Sequence, residues 1–257
     1  MDNAGPEVVK AVILAQFGSH ADVLEPALSD ARTAFPRAKI VLFSDRKTPA
    51  PPGVDEYRYV PPVKELGGRD HPRYGYRMND YYKIEGLLTT DDGSRPGVAV
   101  ALDVDMEIVY VSAFRTIGFL ARRFGLVLPS NPRGTAARDT LIGADSDKKV
   151  DSPYYYGPAV NMTPIAFDWG NEQAERLLNA YLDEMLSRPV RGPLAMWRAI
   201  CKTGFMPCLL PPQWCVCAEN VGIGGEICLH VGHWKVRSFY GRPRSSKTGV
   251  GDRAPTV

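Results

Sequence analysis

The stretch Val98-Ala99-Val100-Ala101-Leu102-Asp103-Val104-Asp105 decides how the rest of this chain is organised. Its five apolar residues follow a segment rich in turn formers, residues 91–97, and so continuous an apolar run is typical of a parallel strand covered on both faces. In extended backbone, side chains at i and i+2 point the same way. We therefore predict a buried strand that ends in two converging carboxylates, Asp103 and Asp105.

Two ionised carboxylates held this close repel each other unless one is protonated or a cation lies between them. An Asp-x-Asp sequence also occurs in ordinary loops, where aspartates cap helices and turns. Position favours the metal interpretation, because Asp103 and Asp105 end the most hydrophobic strand of an alternating α/β chain, where such folds bind ligands. A hard divalent ion such as Mg²⁺ or Mn²⁺ suits oxygen ligands of this kind.

Composition favours one α/β domain, since 257 residues with 44% hydrophobic content can bury a full core. The formal net charge of +2 gives no whole-molecule field that would attract nucleic acid or a membrane surface. No apolar run is long enough to span a bilayer, and the first residues lack the charged and apolar regions of a signal peptide. We expect a cytoplasmic protein without a membrane partner.

All five cysteines fall in the last quarter of the chain, which raises the question of a zinc site. No Cys-x-x-Cys occurs, and Cys215-Val216-Cys217 lacks a second pair at knuckle spacing. An odd number of cysteines in a cytoplasmic chain also argues against a disulfide framework. Buried free thiols are the favoured interpretation, with zinc as the alternative, for Cys201, Cys208, Cys215, Cys217 and Cys228.

The chain opens with a strand, helix, strand pattern. Residues 8–15 form a β-branched run, Ser19 can cap a helix with apolar positions over 23–31, and residues 39–43 form a second strand that ends near Asp45. This order predicts a βαβ unit and hence a parallel sheet. Both strand ends should open onto the crevice of Asp103.

The middle of the chain alternates helices with irregular segments. Residues 46–62 are proline-rich and predict little regular structure, whereas Arg77 to Leu88 predicts a helix with Arg77 and Lys83 away from its aromatic face. Residues 130–151 form a polar loop of the kind that is functional or mobile in compact domains.

The last hundred residues contain two predicted helices, 169–185 and 194–201, among shorter elements. Residues 154–164 predict a strand interrupted by small residues, 209–216 a short edge element, and 227–231 a final strand. Residues 241–257 form a basic tail with a disordered composition, so we predict one domain over 1–240 followed by that tail.

Together these pieces resemble the metal-dependent glycosyltransferases of the GT-A fold, and most nearly glycosyltransferase family 8. The resemblance follows the family's order along nearly the whole chain. The pieces that carry it are the opening βαβ unit, the helix over 77–88, Leu102-Asp-Val-Asp105, Gly157-Pro-Ala-Val-Asn161, Leu209-Leu-Pro-Pro-Gln-Trp214 and His230-Val-Gly-His-Trp-Lys235.

The resemblance implies a single Rossmann-like domain with a mostly parallel mixed sheet flanked by helices. It also implies Mn²⁺ or Mg²⁺ as cofactor, a nucleotide-diphosphate sugar, above all a UDP-sugar, as donor, and retention of anomeric configuration. The implied roles are metal binding for Asp103, Asp105 and His230; donor binding for Asp45, Arg77, Lys83, Asp103, Gly232 and Lys235; and sugar or acceptor orientation for Asn161 and Gln213 beside the two aspartates.

Two positions depart from the family's pattern. The spacing from histidine to lysine leaves either His230 or His233 as the third metal ligand, with His230 favoured. The family's acidic residue at the start of a late helix has no counterpart in residues 191–197, which contain no carboxylate.

Two other functions remain open at this stage. A sugar-phosphate nucleotidyltransferase also pairs a βαβ nucleotide site with aspartates, and a non-catalytic nucleotide-sugar-binding protein could keep the same fold. The acceptor is open too: the basic tail over 241–257, with tyrosines near 74–76 and 154–156, could suit a polyanion such as modified DNA.

Overall fold

The computed structural model describes most of the chain: residues 8–17, 24–47, 50–68, 73–91, 93, 96–131, 160–187 and 192–242. The strands are β1 (Val9–Gln16), β2 (Lys39–Ser44), β3 (Glu56–Tyr59), β4 (Val98–Asp103), β5 (Met106–Ile108), β6 (Leu126–Pro129), β7 (Ile165–Asp168), β8 (Cys208–Leu210) and β9 (Cys228–His230). The helices are α1 (Leu24–Ala34), α2 (Tyr74–Thr89), α3 (Val111–Phe114), α4 (Ile117–Phe124), α5 (Glu172–Ser187), α6 (Gly192–Thr203) and α7 (Trp234–Phe239), with 3₁₀ turns at Lys64–Leu66 and Pro212–Trp214.

Seven strands form one sheet in the order β3-β2-β1-β4-β7-β6-β8. The strands from β3 to β4 pair in parallel, β7 is antiparallel to both of its neighbours, and β8 is parallel to β6. The predicted fold class, α/β with a mostly parallel mixed sheet, is confirmed. The predicted βαβ unit is β1-α1-β2.

Apolar side chains cover both faces of this sheet. On β1, Ile13 packs into one buried cluster with residues of α2 and α5, whereas Val12 and Leu14 pack into another with residues of α1 and α4. This explains why β1 and β4 lack a regular polar alternation, since a strand enclosed on both faces needs apolar residues along its buried length, and on β1 only Lys10 is exposed.

A second sheet of two strands lies at the end of β4. The chain turns at Val104 and Asp105, and β5 then pairs antiparallel with β9. The prediction that Asp103 and Asp105 share one face of extended backbone is therefore wrong. A turn after β4 brings the two carboxylates together instead.

Three further features differ from the sequence predictions. The proline-rich segment contains β3, a short parallel edge strand, and β7 occupies residues just before the predicted helix over 169–185. Lys83, expected on the outer side of α2, is fully buried. Short strands of four residues carry too little periodic pattern to be separated from loops.

Several predictions fall outside the described residues. They concern the cap at Ser19, most of the loop over 130–151, the tyrosines at 154–156, and the tail beyond residue 242. Within the described ranges, none of the helices combines the length and apolar character needed to cross a bilayer.

Candidate metal centre

Asp103, Asp105 and His230 meet where the two sheets join. One donor atom from each lies within 4.8 Å of the others. Nε2 of His230 is 3.1 Å from Oδ1 of Asp105 and 3.9 Å from Oδ2 of Asp103. The structure therefore brings together the three residues that the sequence analysis grouped as metal ligands.

Strand pairing explains why His230 reaches the carboxylates. In the antiparallel pair of β5 and β9, His230 lies opposite Met106, one position beyond Asp105. His233 precedes α7 and packs edge-on against His230, with ring centroids 4.7 Å apart. Of the two histidines left open by the sequence, His230 is the one beside the aspartates.

Lys83 forms an ion pair with Asp103 from beneath the site. Its ammonium group also donates to the carbonyl oxygen of Met162 at 2.8 Å and lies 3.3 Å from the Asp80 carboxylate. The side chain is completely enclosed, so the ammonium group faces Asp103 rather than open solvent. Contact between Lys83 and a donor molecule stays a prediction.

Asp80 lies beside the candidate metal centre, in contact with Lys83, and the sequence analysis did not single it out. Its Oδ2 accepts a hydrogen bond from the backbone N–H of Gly192, the first residue of α6, at 3.2 Å. A carboxylate thus lies at the start of this helix, where residues 191–197 supply none. It comes from α2, and sequence spacing alone could not have indicated it.

The electrostatics follow from this crowding of charge. Burial raises the pKa of Asp103, and Asp105 raises it further, while Lys83 opposes both. Burial alone would lower the pKa of His230, but the Asp105 carboxylate raises it well above its ordinary value. Burial likewise opposes the charge on Lys83, yet the Asp103 and Asp80 carboxylates raise its pKa.

These donors fit a divalent cation. The oxygens of two carboxylates and an imidazole nitrogen suit Mn²⁺, and Mg²⁺ accepts the carboxylates and keeps water at its other positions. The ammonium group of Lys83 neutralises part of the charge on Asp103. The charge on Asp105, which lies beside His230, is the other negative charge among the three candidate ligands. Metal binding would require His230 to be neutral, because a metal binds the lone pair of the unprotonated ring.

Gly232 makes room for the Asp105 carboxylate. A Cβ atom at this position would overlap Oδ2 of Asp105 and lie 2.9 Å from its Cγ. Real Cβ atoms do not approach other atoms this closely, so a larger residue would turn the carboxylate away. The structure thus gives Gly232 a steric function beside the candidate metal ligands.

The other predicted donor-binding residues lie on three separate elements. Asp45 follows β2, where its carboxylate accepts a hydrogen bond from the Tyr74 hydroxyl at 3.0 Å. Arg77 is half-buried on α2, and Lys235 is exposed in the first turn of α7, with its ammonium group 6.0 Å from the Trp234 ring centre. Their contacts with a donor stay predictions.

Asn161 and Gln213 were predicted to orient the sugar or acceptor. Asn161 is buried, and its amide contacts Asn131 at 2.9 Å and the Cys217 sulfur at 3.8 Å. Oε1 of Gln213 is buried and has no hydrogen-bond partner among the described residues. Its contact with a sugar or an acceptor stays a prediction.

The cysteines of the described residues are all free, but the prediction that they are buried holds only for Cys215, Cys217 and Cys228: Cys201 is exposed and Cys208 is partly exposed. The sulfur atoms of Cys215 and Cys217 are 3.7 Å apart and buried. Contact with Cys215, assisted by His230, lowers the pKa of Cys217 to about 5 against the effect of burial. Burial lowers the pKa of His233, and His230 lowers it further.

The mostly parallel mixed sheet with its flanking helices is a GT-A-like fold, and two solved glycosyltransferase structures share it. The crystal structure of the galactosyltransferase LgtC with donor and acceptor sugar analogs shares it at 11% identity and a TM-score of 0.53, over 94% of this chain and 98% of that chain. The bifunctional glycosyltransferase WbbM in its apo form is similar at 10% identity and a TM-score of 0.55, over 91% of this chain and 47% of that chain.

A 2-C-methyl-D-erythritol 4-phosphate cytidylyltransferase from Thermus thermophilus is similar at 13% identity over 79% of this chain and 89% of that chain. Its TM-score of 0.46 is too low to indicate a shared fold. No protein-family model matches the chain, and no curated protein matches its sequence. At these identities the likeness concerns the fold alone, because one fold supports many reactions. The narrower resemblance to family 8 stays a prediction.

Proposed function

We propose that this protein is a glycosyltransferase that moves a sugar from a nucleotide-diphosphate donor, a UDP-sugar first of all, to an acceptor hydroxyl with the help of Mn²⁺ or Mg²⁺. The observation that carries the proposal is the convergence of Asp103, Asp105 and His230 at the end of β4. In an open α/β sheet, ligands bind beside the carboxyl ends of the strands.

The aspartates and the histidine would hold the cation. When bound, the metal would supply positive charge that stabilises the negative charge developing on the departing nucleoside diphosphate. Lys83, buried against Asp103, fixes that carboxylate and limits the repulsion between it and Asp105. Gly232 leaves the space in which the Asp105 carboxylate stays turned toward His230.

Other residues have proposed functions around this centre. Lys235, an exposed cation five residues after His230, would bind the diphosphate, and Asp45 and Arg77 would bind the nucleoside end of the donor. Asn161 and Gln213 would orient the sugar or the acceptor. Retention of configuration and a modified-DNA acceptor stay predictions from the sequence.

The experiment that tests this proposal is the substitution Asp105→Ala. We expect Mn²⁺ affinity to fall roughly 100-fold or more, because a ligand is lost and even outer partners of ligands are worth 10- to 100-fold. Isothermal titration of Mn²⁺, followed by thermal shift with a panel of nucleotide sugars, measures it, since ligand binding raises apparent stability. Asp183→Ala, an exposed carboxylate on α5, is the matched control.

The products of slow donor hydrolysis distinguish the reaction classes. Release of free nucleoside diphosphate from a nucleotide sugar, dependent on Mn²⁺ and lost in Asp105→Ala, supports a glycosyltransferase. Formation of pyrophosphate from a nucleoside triphosphate and a sugar phosphate would assign a nucleotidyltransferase instead. Donor binding without turnover would identify a binding protein.

A further inference from the structure

A second group of metal-ligating side chains shares His230. Donor atoms of Cys215, Cys217 and His230 all lie within 4.8 Å of one another. The two thiols are buried, and His230 is half-buried. The spacing gave little sign of such a group, because the third donor follows the cysteines after twelve intervening residues.

Backbone hydrogen bonds hold the three residues together. Val216 forms a parallel bridge with Leu229, its N–H donates to the Cys228 carbonyl at 3.0 Å, and its carbonyl accepts from the His230 N–H at 2.9 Å. Since Val216 is buried in its own apolar cluster, the flanking cysteines point the other way, as residues at i and i+2 do in extended chain. The arrangement is thus set by the fold and does not depend on a bound ion.

The geometry fits a tetrahedral thiolate site. With zinc–sulfur bonds of about 2.3 Å and a tetrahedral angle, two bound sulfurs are separated by about 3.8 Å. The sulfur atoms of Cys215 and Cys217 are 3.7 Å apart. We propose that Cys215, Cys217 and His230 form a binding site for one thiophilic divalent cation, represented by Zn²⁺, with a fourth position left for water or another ligand.

Neighbouring polar groups support the thiols in this position. The Asn161 amide lies 3.8 Å from the Cys217 sulfur and can donate to a thiolate there. The Cys217 N–H donates to Oδ1 of Asn220 at 2.7 Å, and the Asn220 amide donates to the Pro212 carbonyl at 3.0 Å. Hydrogen bonds of this kind orient metal ligands and tune their affinity.

Sharing of His230 makes the two sites antagonistic, a consequence that rests on the proposed function of the aspartate site. A neutral imidazole offers one nitrogen lone pair, so it can serve one cation at a time. Zn²⁺ held by the thiols therefore removes His230 from Asp103 and Asp105. Occupancy of the thiol site weakens Mn²⁺ binding and leaves the fold intact.

The test uses the full chain, metal-free and reduced, titrated with Co²⁺ in the absence of any nucleotide sugar. We expect a near-ultraviolet thiolate-to-cobalt charge-transfer band that saturates at one equivalent and disappears on addition of Zn²⁺. Absence of the band from the wild-type protein would overturn the proposal.

Variants identify the donors. Cys215→Ser and Cys217→Ser should each lose the band, whereas Cys201→Ser, which changes an exposed thiol outside the group, should keep it. Asp105→Ala should also keep it, because Asp105 is not a donor here. Persistence of the band in the double variant of Cys215 and Cys217 contradicts the site.

A measurement on the wild-type protein covers the case in which a cysteine variant fails to fold. X-ray absorption of the protein loaded with one equivalent of Zn²⁺ should give two sulfur neighbours at about 2.3 Å. A shell of oxygen and nitrogen alone refutes the site. Neither experiment contains a nucleotide sugar, so a failure of the glycosyltransferase proposal leaves both results unchanged. Titration of Mn²⁺ with and without Zn²⁺ tests the antagonism between the two sites separately.

Discussion

The sheet of β1, β2 and β4 and the small sheet of β5 and β9 contribute to the same centre but differ in size and in the polar contacts they make. The first is enclosed by apolar side chains on both faces. The second has three residues in each strand; Met106, Ile108 and Leu229 are buried in apolar clusters as well, and the polar contact of Asp105 with His230 lies at one end of it. Apolar packing therefore stabilises both sheets, whereas polar contacts between distant segments complete the site at the end of the small sheet.

Removal of the Lys83 side chain should cause the largest loss of stability, because this residue lies where the two sheets meet. Lys83→Met leaves Asp103 and Asp80 without their buried counter-ion, and breaking a buried pair costs roughly 3–5 kcal/mol. Urea unfolding at neutral pH measures the loss. The exposed Lys202→Met, whose nearest carboxylate is 3.9 Å away, should change stability by no more than about 0.5 kcal/mol.

A double variant checks the cause. Lys83→Met combined with Asp103→Asn removes both charges and should recover part of the lost stability. Equal losses in the single and double variants would mean that cavity formation, and not charge, explains the effect.

Gly86→Ala should perturb only the packing of α2 on the large sheet. A Cβ atom at Gly86 on α2 would lie 2.5 Å from Ile13 and 2.8 Å from Phe43, so the helix must move away from the sheet. Such overpacking costs about 1–3 kcal/mol, despite the better helix propensity of alanine. Thermal unfolding measures it, and an unchanged or raised Tm would show that α2 packs less tightly on β1 and β2.

Gly232→Ala should perturb only the position of the Asp105 carboxylate beside His230. The new methyl group displaces a side-chain carboxylate rather than backbone, so stability should change little, while Mn²⁺ affinity should fall about tenfold, in the range for altered metal-ligand surroundings. Calorimetric titration and urea unfolding together separate the two effects. Gly170→Ala is the control, because a Cβ atom at Gly170 would lie 3.5 Å from its nearest neighbour, an oxygen of Asp168, which is an ordinary contact distance.

The smallest expected effect is the change of the free energy of unfolding of the metal-free protein with pH. Because the pKa of His230 is raised on folding, its contribution to stability is full below about pH 6.5 and is lost as the pH rises through the folded-state value. The slope cannot exceed about 1.4 kcal/mol per pH unit for one proton. His230→Gln should flatten it, and Mn²⁺ affinity should show the opposite trend, since the metal needs the neutral ring.

The two regions also differ in what the sequence could predict. Continuous apolar runs identified β1, β2 and β4, and the acid pair located the centre, because these signals are local. Strands β3 and β7 were missed, since four residues beside prolines or before a helix carry almost no periodicity.

The missed parts of the candidate site are long-range contacts. Lys83 looked like a surface cation because its partner, Asp103, lies on another element. The contact of Asp80 with Gly192 spans 112 positions, and the approach of Cys217 to His230 depends on the bridge of Val216 with Leu229. Such contacts follow from the assembled fold, so no local spacing rule could have predicted them.

The separation of the ligands along the chain has a consequence for biosynthesis. Asp105 and His230 are 125 positions apart, whereas Lys83 precedes Asp103 by only 20. During translation, therefore, the lysine counter-ion emerges from the ribosome before the acid pair, and the imidazole emerges long after it. The nascent polypeptide can neutralise Asp103 early, but it cannot capture its cation with all three ligands until synthesis has passed residue 230.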